Sequence, residues 1–273
     1  MIKIINIKDN FDIRLDKYLK TQFTVLTQSF IEKNIRKKNI LINNSKTSSK
    51  YIVKKNDSLK ILNFHEKIYK NKIIFTKKSN VSNEHINLFN NSIIFENSNF
   101  LIINKWSSIA TQGGSKINIS IDDIIKNISL EYKLVHRLDK ETSGLLIVSK
   151  NKNSAKNFGY LFKNKLIEKT YLAICEGKPY RNESSIELDI KNKLEKIQKT
   201  KTYYKLLHNN NNLSLILFKP LTGKTHQLRI VSKNLSCPIV GDEKYNYQSK
   251  FSREILKLNA YCLKFSLDNK NQQ

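Results

Sequence analysis

Cysteine is scarce: the chain has three, Cys175, Cys237 and Cys262, at wide spacing. An odd number so dispersed gives neither a disulfide framework nor a zinc-ligand pattern, so all three are expected as reduced core residues. No apolar run approaches the roughly 20 residues needed to cross a bilayer, and Met1 to Asn10 lacks the apolar core of a signal peptide. A cytoplasmic protein with no membrane partner is therefore expected. A Walker-type glycine loop is missing, as is a carboxylate cluster suited to metal, so phosphoryl transfer is disfavoured and no metal site is expected. Acidic residues are few, 23 Asp plus Glu against 49 Lys plus Arg, for a net charge of +26. Lysines beside a phosphate backbone release condensed counterions, which points to a polyanionic partner and first to nucleic acid. Part of that excess follows the A/T-rich codons shared by Lys, Asn and Ile, a bias that arginine escapes. Only Arg14, Arg36, Arg137, Arg181, Arg229 and Arg253 occur, and a guanidinium kept in such a chain suggests a bidentate or stacking task that lysine cannot perform.

What is present reads as two folded parts of an α+β protein. Leu15, Tyr18 and Leu19 share one face of a helix over 14–22, with Arg14, Lys17 and Lys20 elsewhere. Thr27 or Ser29 can cap a second helix, carried by Phe30, Ile31 and Ile35 and ending in Arg36, Lys37 and Lys38. Short strands are expected at 40–42, 51–53 and 59–62, with a turn at Asn43-Asn44. Residues 1–62 hold 14 Lys plus Arg and 5 Asp plus Glu, enough to favour a phosphate-binding face. Residues 1–65 are assigned to this first part, 66–90 to a linker without catalytic content, and 91–273 to a second part. There, 93–95 and 100–103 form an antiparallel pair around the turn 96–99. Ile121, Ile124, Ile125 and Ile128 fall at helical spacing. A further helix is expected over 155–164, with strands at 168–175, 202–207 and 213–218. Thr225 can cap a helix starting near His226, and 237–242 reads as a structural turn and strand.

Between these elements lies His136-Arg137-Leu138-Asp139-Lys140-Glu141-Thr142-Ser143-Gly144-Leu145-Leu146. A carboxylate stands between cations, a polar turn follows, and an apolar strand leads away, so the strand is a rigid mount for Asp139. Alone, this is as well explained by an aspartate closing a turn.

Four segments in order change that balance. Asn104-Lys105, the 136–146 stretch, Lys169-Thr170-Tyr171-Leu172-Ala173, and Thr222-Gly223-Lys224-Thr225-His226-Gln227-Leu228-Arg229 resemble the RluA family of pseudouridine synthases over about residues 91–265. Residues 12–62 resemble an S4 RNA-binding domain, with Asn39 and Asn44 where that domain usually has glycine. Asn is the non-glycine residue that most readily takes left-handed backbone. The run Gln112-Gly113-Gly114-Ser115 followed by Ile121-Asp122 is most similar to the C-type large-subunit subfamily, and Trp106 departs from the family by replacing a proline.

The resemblance implies a small S4 α/β domain followed by a catalytic domain with a mixed, mainly antiparallel sheet. It implies isomerisation of uridine in large-subunit ribosomal RNA, by breaking the N-glycosidic bond and rejoining the base through C5, with no cofactor. It assigns Asp139 as nucleophile, Arg229 as the arginine that pairs with it, and Tyr171 as the tyrosine that stacks on the base. Attack on the ring, attack on C1′ and a glycal route all remain open. Arg137 matches the residue that fills the space of a flipped-out base, with His136, Lys224 and Thr225 beside it. Arg14, Lys17, Arg36, Lys37 and Lys38 are the expected phosphate contacts of the S4 part, and a monomer is expected. The competing expectation is a non-catalytic ribosomal-RNA-binding or assembly protein on the same fold.

Overall fold

The structure is a computed structural model that describes residues 1–9, 11–69, 81–114, 117–191, 195–246, 248–249, 251 and 253–267. The chain divides into two compact units, Met1–Lys77 and Lys78–Gln273. Among the described residues no helix is long and apolar enough to cross a membrane.

In the first unit, β1 (Lys3–Asn6) is followed by α1 (Leu15–Gln22), α2 (Gln28–Arg36), β2 (Ile40–Ile42), β3 (Ser45–Lys46), β4 (Ser58–Ile61) and α3 (Glu66–Tyr69). Thr27 caps α2 by accepting from the Phe30 N–H at 3.2 Å, which decides between the two candidate caps. The strands lie in the order β1-β4-β2-β3, and Leu15, Leu19, Ile31, Ile40, Leu59 and Ile61 are buried between helices and sheet. Asn43 (φ 50) and Asn44 (φ 61) both have positive φ, the pattern of a two-residue type I′ hairpin; the expected turn is present, and it leads into β3, a strand that was not expected. Two expectations fail. The left-handed residue after α2 is Lys38 (φ 59), not Asn39, whose amide donates to Asn34. Residues 51–53 are no strand, because Ile52 makes only an isolated bridge to Arg14; β1, an unforeseen edge, takes the free side of β4.

The stretch assigned to a linker is helical at both ends. Tyr69 of α3 is buried in the first core, and Phe89 of α4 (Asn83–Asn91) in the second. Each end is thus anchored by an aromatic side chain; residues 70–80 lie outside the described residues, as does Ser115 of the Gln112 run.

The second unit continues with β5 (Ile93–Glu96), β6 (Phe100–Lys105), α5 (Ile121–Ile128), β7 (Lys133–Leu134), β8 (Ser143–Ser149), α6 (Lys152–Lys163), β9 (Glu168–Glu176), β10 (Glu183–Lys191), β11 (Ile197–Asn210), β12 (Leu213–Pro220), α7 (Gln227–Asn234) and β13 (Leu258–Lys264). Its strands run β10-β11-β12-β9-β13-β8-β6-β5, with β7 also on β8, and only β13–β8 is parallel. The sheet is mixed and mainly antiparallel, as the family resemblance implied. Along β8, Leu146 and Val148 face the core under α4 and α5, while Ile147 faces Phe158 of α6. Three of the four periodic isoleucines of α5 are buried; Ile128 is exposed. Of the cysteines, Cys175 and Cys237 are buried, whereas Cys262 is exposed on β13, a strand the sequence did not announce.

The arrangement of β8 creates the site. One edge is covered by β6 along its length, but the other is shared: β13 pairs at Ser143 and Gly144, and β7 at Val148 and Ser149. Gly144 makes the first pairing possible. Its φ is +105, and a Cβ there would lie 2.4 Å from the Ala260 carbonyl oxygen. Gly144→Ala is expected to lose more stability than the ~1–3 kcal/mol of ordinary overpacking, because neither φ nor the neighbouring backbone can yield. Denaturant unfolding checks this, and a midpoint equal to wild type would show that β13 does not approach so closely.

Candidate active site

His136 fills the gap on the open edge of β8. Its Nε2 accepts the Ile147 N–H at 2.9 Å and its ring stacks on Phe162 at 4.6 Å. Burial first, then Lys169, pushes its pKa down to about 3. A neutral ring that accepts through Nε2 is part of the fold, so His136, expected among RNA-binding residues, has its Nε2 committed internally while it also lines the cavity. The sign of its pH dependence follows. Between the ordinary value of 6.5 and the folded value of about 3, the unfolded chain binds more protons, so stability is full above about 6.5 and falls as pH drops toward 3. His136→Gln should flatten the rise of unfolding free energy between pH 4.5 and 6.5; an unchanged slope would remove His136 as its source.

The loop from β7 to β8 carries Asp139 half-buried and Arg137 exposed. It is braced from behind. Thr111 Oγ1 donates to the Leu138 carbonyl at 2.7 Å and accepts its N–H at 3.1 Å, while Ser107 Oγ donates to the Glu141 carbonyl at 2.7 Å. The Thr142 N–H closes a turn on the Asp139 carbonyl. Lys105, fully buried at the end of β6, donates from Nζ to the carbonyls of Trp106, Ile109 and Lys140 at 2.9 to 3.1 Å. Burial lowers its pKa to about 8, with Glu141 and Asp139 pulling the other way. The lysine of the Asn104-Lys105 segment thus ties two loops together. The Trp106 carbonyl is one of its acceptors, so the departure at Trp106 leaves this brace intact.

Tyr171 stands on β9, opposite Phe218 of β12 and Ala260 of β13, where two cores meet. Burial, and then the charge of Asp139, raises its pKa to about 12, so the phenol stays protonated near neutrality. Arg229 projects from α7 and is buried to 5% exposure. The expected direct pairing with Asp139 is absent among the described hydrogen bonds. Instead Nε and Nη2 grip Asp242 at 2.8 and 2.6 Å, and Nη1 lies 3.7 Å from Glu141. Burial opposes the charge of Arg229, but Asp242, Glu141 and Asp139 hold it in the charged form. The reason is geometric: Gly241 (φ +76) turns the chain tightly against Ile255 and delivers Asp242 to the Nε edge, leaving the Nη1 side toward the Asp139 loop. Asp242 also accepts the N–H groups of Lys244 and Tyr245. The sequence places it in a structural turn; the signal that could have found it is that no acidic residue lies between Arg229 and Asp242.

Thr225 does not cap α7. The N-cap is His226 in left-handed backbone (φ 55), and the Gln227 side chain closes the preceding loop by accepting from Thr222 Oγ1 and the Lys224 N–H. His226 Nδ1 sits 3.1 Å from the Tyr245 hydroxyl, and burial lowers its pKa against the opposing pull of Asp139. Asp139, Tyr171, Arg229, Arg137, His136, Lys224 and Thr225 all line one cavity of about 460 Å³. In the first unit Lys17, Arg36, Lys37 and Lys38 are exposed, whereas Arg14 gives Nε and Nη2 to Asp16.

A cavity roomy enough to admit a nucleobase, with a mounted carboxylate, a protonated tyrosine and a clamped arginine, suits chemistry on a base withdrawn from its stack. Residues 99–234 match the family model described as RNA pseudouridylate synthase. The chain is 40% identical over 262 residues to the ribosomal large subunit pseudouridine synthase C of Rickettsia bellii, covering 89% of this chain and 85% of that protein. The chain belongs to the RNA pseudouridylate synthase family. It is an RNA pseudouridine synthase enzyme. The protein of the same name from Buchnera aphidicola subsp. Baizongia pistaciae is 31% identical over 288 residues, 96% of this chain and 88% of the other. Among solved structures, human RNA pseudouridylate synthase domain containing 4 superposes with a TM-score of 0.59 at 25% identity, over 66% of this chain and 86% of that one.

Proposed function

We propose that this pseudouridine synthase acts on uridines of large-subunit (23S) ribosomal RNA, with Asp139 as nucleophile on a flipped-out base. The observation that carries the reading is the meeting of Asp139, Tyr171 and Arg229 in one cavity. Tyr171, neutral and at the junction of two cores, presents its ring to the uracil and can pass a proton at C5. Arg229 acts on Asp139 through its field from a position fixed by Asp242. Arg137, exposed two residues before Asp139, fills the space the base vacates. Unstacking costs a few kcal/mol, and phosphate contacts elsewhere on the protein offset it. The enzyme works as a cytoplasmic monomer without a nucleotide cofactor. The test is to incubate purified protein with a large-subunit rRNA transcript and map pseudouridine at nucleotide resolution. Discrete new sites are expected, and a transcript left unmodified would refute the substrate assignment.

The first unit, two helices on a four-stranded sheet, serves as an S4-type RNA-binding domain with Arg36, Lys37 and Lys38 exposed where α2 ends. Reversing these three charges to Glu should weaken RNA binding and lower the slope of log K against log salt by roughly 0.7 to 0.9 for each phosphate that is no longer neutralised. Filter binding across a salt series measures both, and an unchanged slope would place the RNA-binding face elsewhere.

A further inference from the structure

The cavity holds more positive charge than a neutral uracil requires. Six lining side chains are cationic, Arg137, Lys163, Lys165, Lys169, Lys224 and Arg229, against one carboxylate, Asp139. Arg229 is offset by Asp242. None of the four lysines takes part in an ion pair among the described residues. Lys169, half-buried on β9, donates from Nζ only to the Thr222 carbonyl at 3.3 Å, a long bond, and its Nζ lies over Gly223, where a Cβ would come within 3.8 Å. Lys165 comes from the α6–β9 turn in left-handed backbone (φ 59), and Lys224 from the β12–α7 loop. Burial and the field of Lys165 both lower the pKa of Lys169. Like charges gathered at a partly desolvated wall cost free energy until an anion joins them. The nucleotide whose base enters this cavity brings such an anion on either side of its sugar.

Resting on the pseudouridine synthase reading of the cavity, we propose that Lys165, Lys169 and Lys224 form a subsite for one backbone phosphate flanking the flipped uridine. The subsite binds the RNA at the reacting nucleotide itself, and its cations balance the repulsion between that phosphate and Asp139. Lys169 joins the two connections, since its ammonium already rests on the loop that carries Lys224.

The test uses the full chain and short RNAs bearing a single uncharged methylphosphonate linkage, placed either 5′ or 3′ of the target uridine. For wild type, one of the two positions should lower kcat/KM about tenfold, the low end of the range for a hydrogen bond to a charged group. Lys169→Met should lose a similar factor on ordinary RNA, and the same methylphosphonate should then cost it less than about twofold, because interacting groups are not additive. Lys165→Asn, at an exposed turn position that tolerates left-handed backbone, should show the same loss of sensitivity without disturbing the Thr222 hydrogen bond. Full additivity in both variants, or no cost to wild type from either linkage, would overturn the subsite. Ordinary RNA separates the two levels: wild type forming no pseudouridine on it refutes the underlying reading, whereas product formed with no phosphate effect refutes the subsite alone.

Discussion

Asp139→Asn is expected to abolish pseudouridine formation while leaving RNA affinity within a few-fold of wild type. The substitution keeps the size of the side chain and removes the charge of the proposed nucleophile. The surroundings should persist, because the loop is held through main-chain and neighbouring groups: Thr111 on Leu138, Lys105 on the Lys140 carbonyl and Ser107 on the Glu141 carbonyl. None of these hydrogen bonds uses the Asp139 carboxylate. Single-turnover assays with parallel binding measurements separate chemistry from affinity. Turnover retained in the Asn variant would remove Asp139 from the mechanism.

Asp242→Ala carries the second large effect, on stability and turnover together. The pair it breaks is closed from water, with side-chain exposures of 6% for Arg229 and 0% for Asp242. Removing one partner strands a buried guanidinium at a cost of about 3–5 kcal/mol, and it frees the N–H groups of Lys244 and Tyr245 as well. Arg229 would then swing toward Glu141 or Asp139, changing the field at the proposed nucleophile. An apolar replacement of both partners separates the two consequences. Arg229→Met with Asp242→Leu should recover the part of the loss that comes from the stranded charge, since a buried ion pair exchanged for packed apolar groups is often neutral, while the Lys244 and Tyr245 N–H groups stay unpaired and the variant stays inactive. Denaturant unfolding and single-turnover rates would measure this. A double variant that is stable and active would make the pair purely structural.

The candidate site was legible in the sequence where its chemistry is local. Asp139 precedes a polar turn and an apolar strand, and the structure indeed mounts it at the entrance of β8. Tyr171 and Arg229 were legible through motif order and arginine scarcity. What escaped depends on contacts between distant segments. β13 enters between β9 and β8, and nothing near 258–264 announces that position. β10 alternates charged and apolar residues on an edge, where cross-strand pairs such as Lys201–Glu187 shape its sequence more than a core does. The bracing role of Lys105 was not legible, because burial of a lysine depends on three carbonyls brought together by folding. The structural partner of His136 was not legible, because only the gap between β13 and β7 reveals the Ile147 N–H that it satisfies. Thr225 had the right residue type for a cap, but Gln227 reaches back to close the loop first.

The most direct measurement of the central claim is nucleotide-resolution pseudouridine mapping of ribosomal RNA from cells that lack this protein, complemented with wild type or with Asp139→Asn at equal abundance. Specific large-subunit pseudouridines should vanish without the protein, return with wild type and stay absent with the variant. A map unchanged by loss of the protein, or restored equally by Asp139→Asn, would contradict the account.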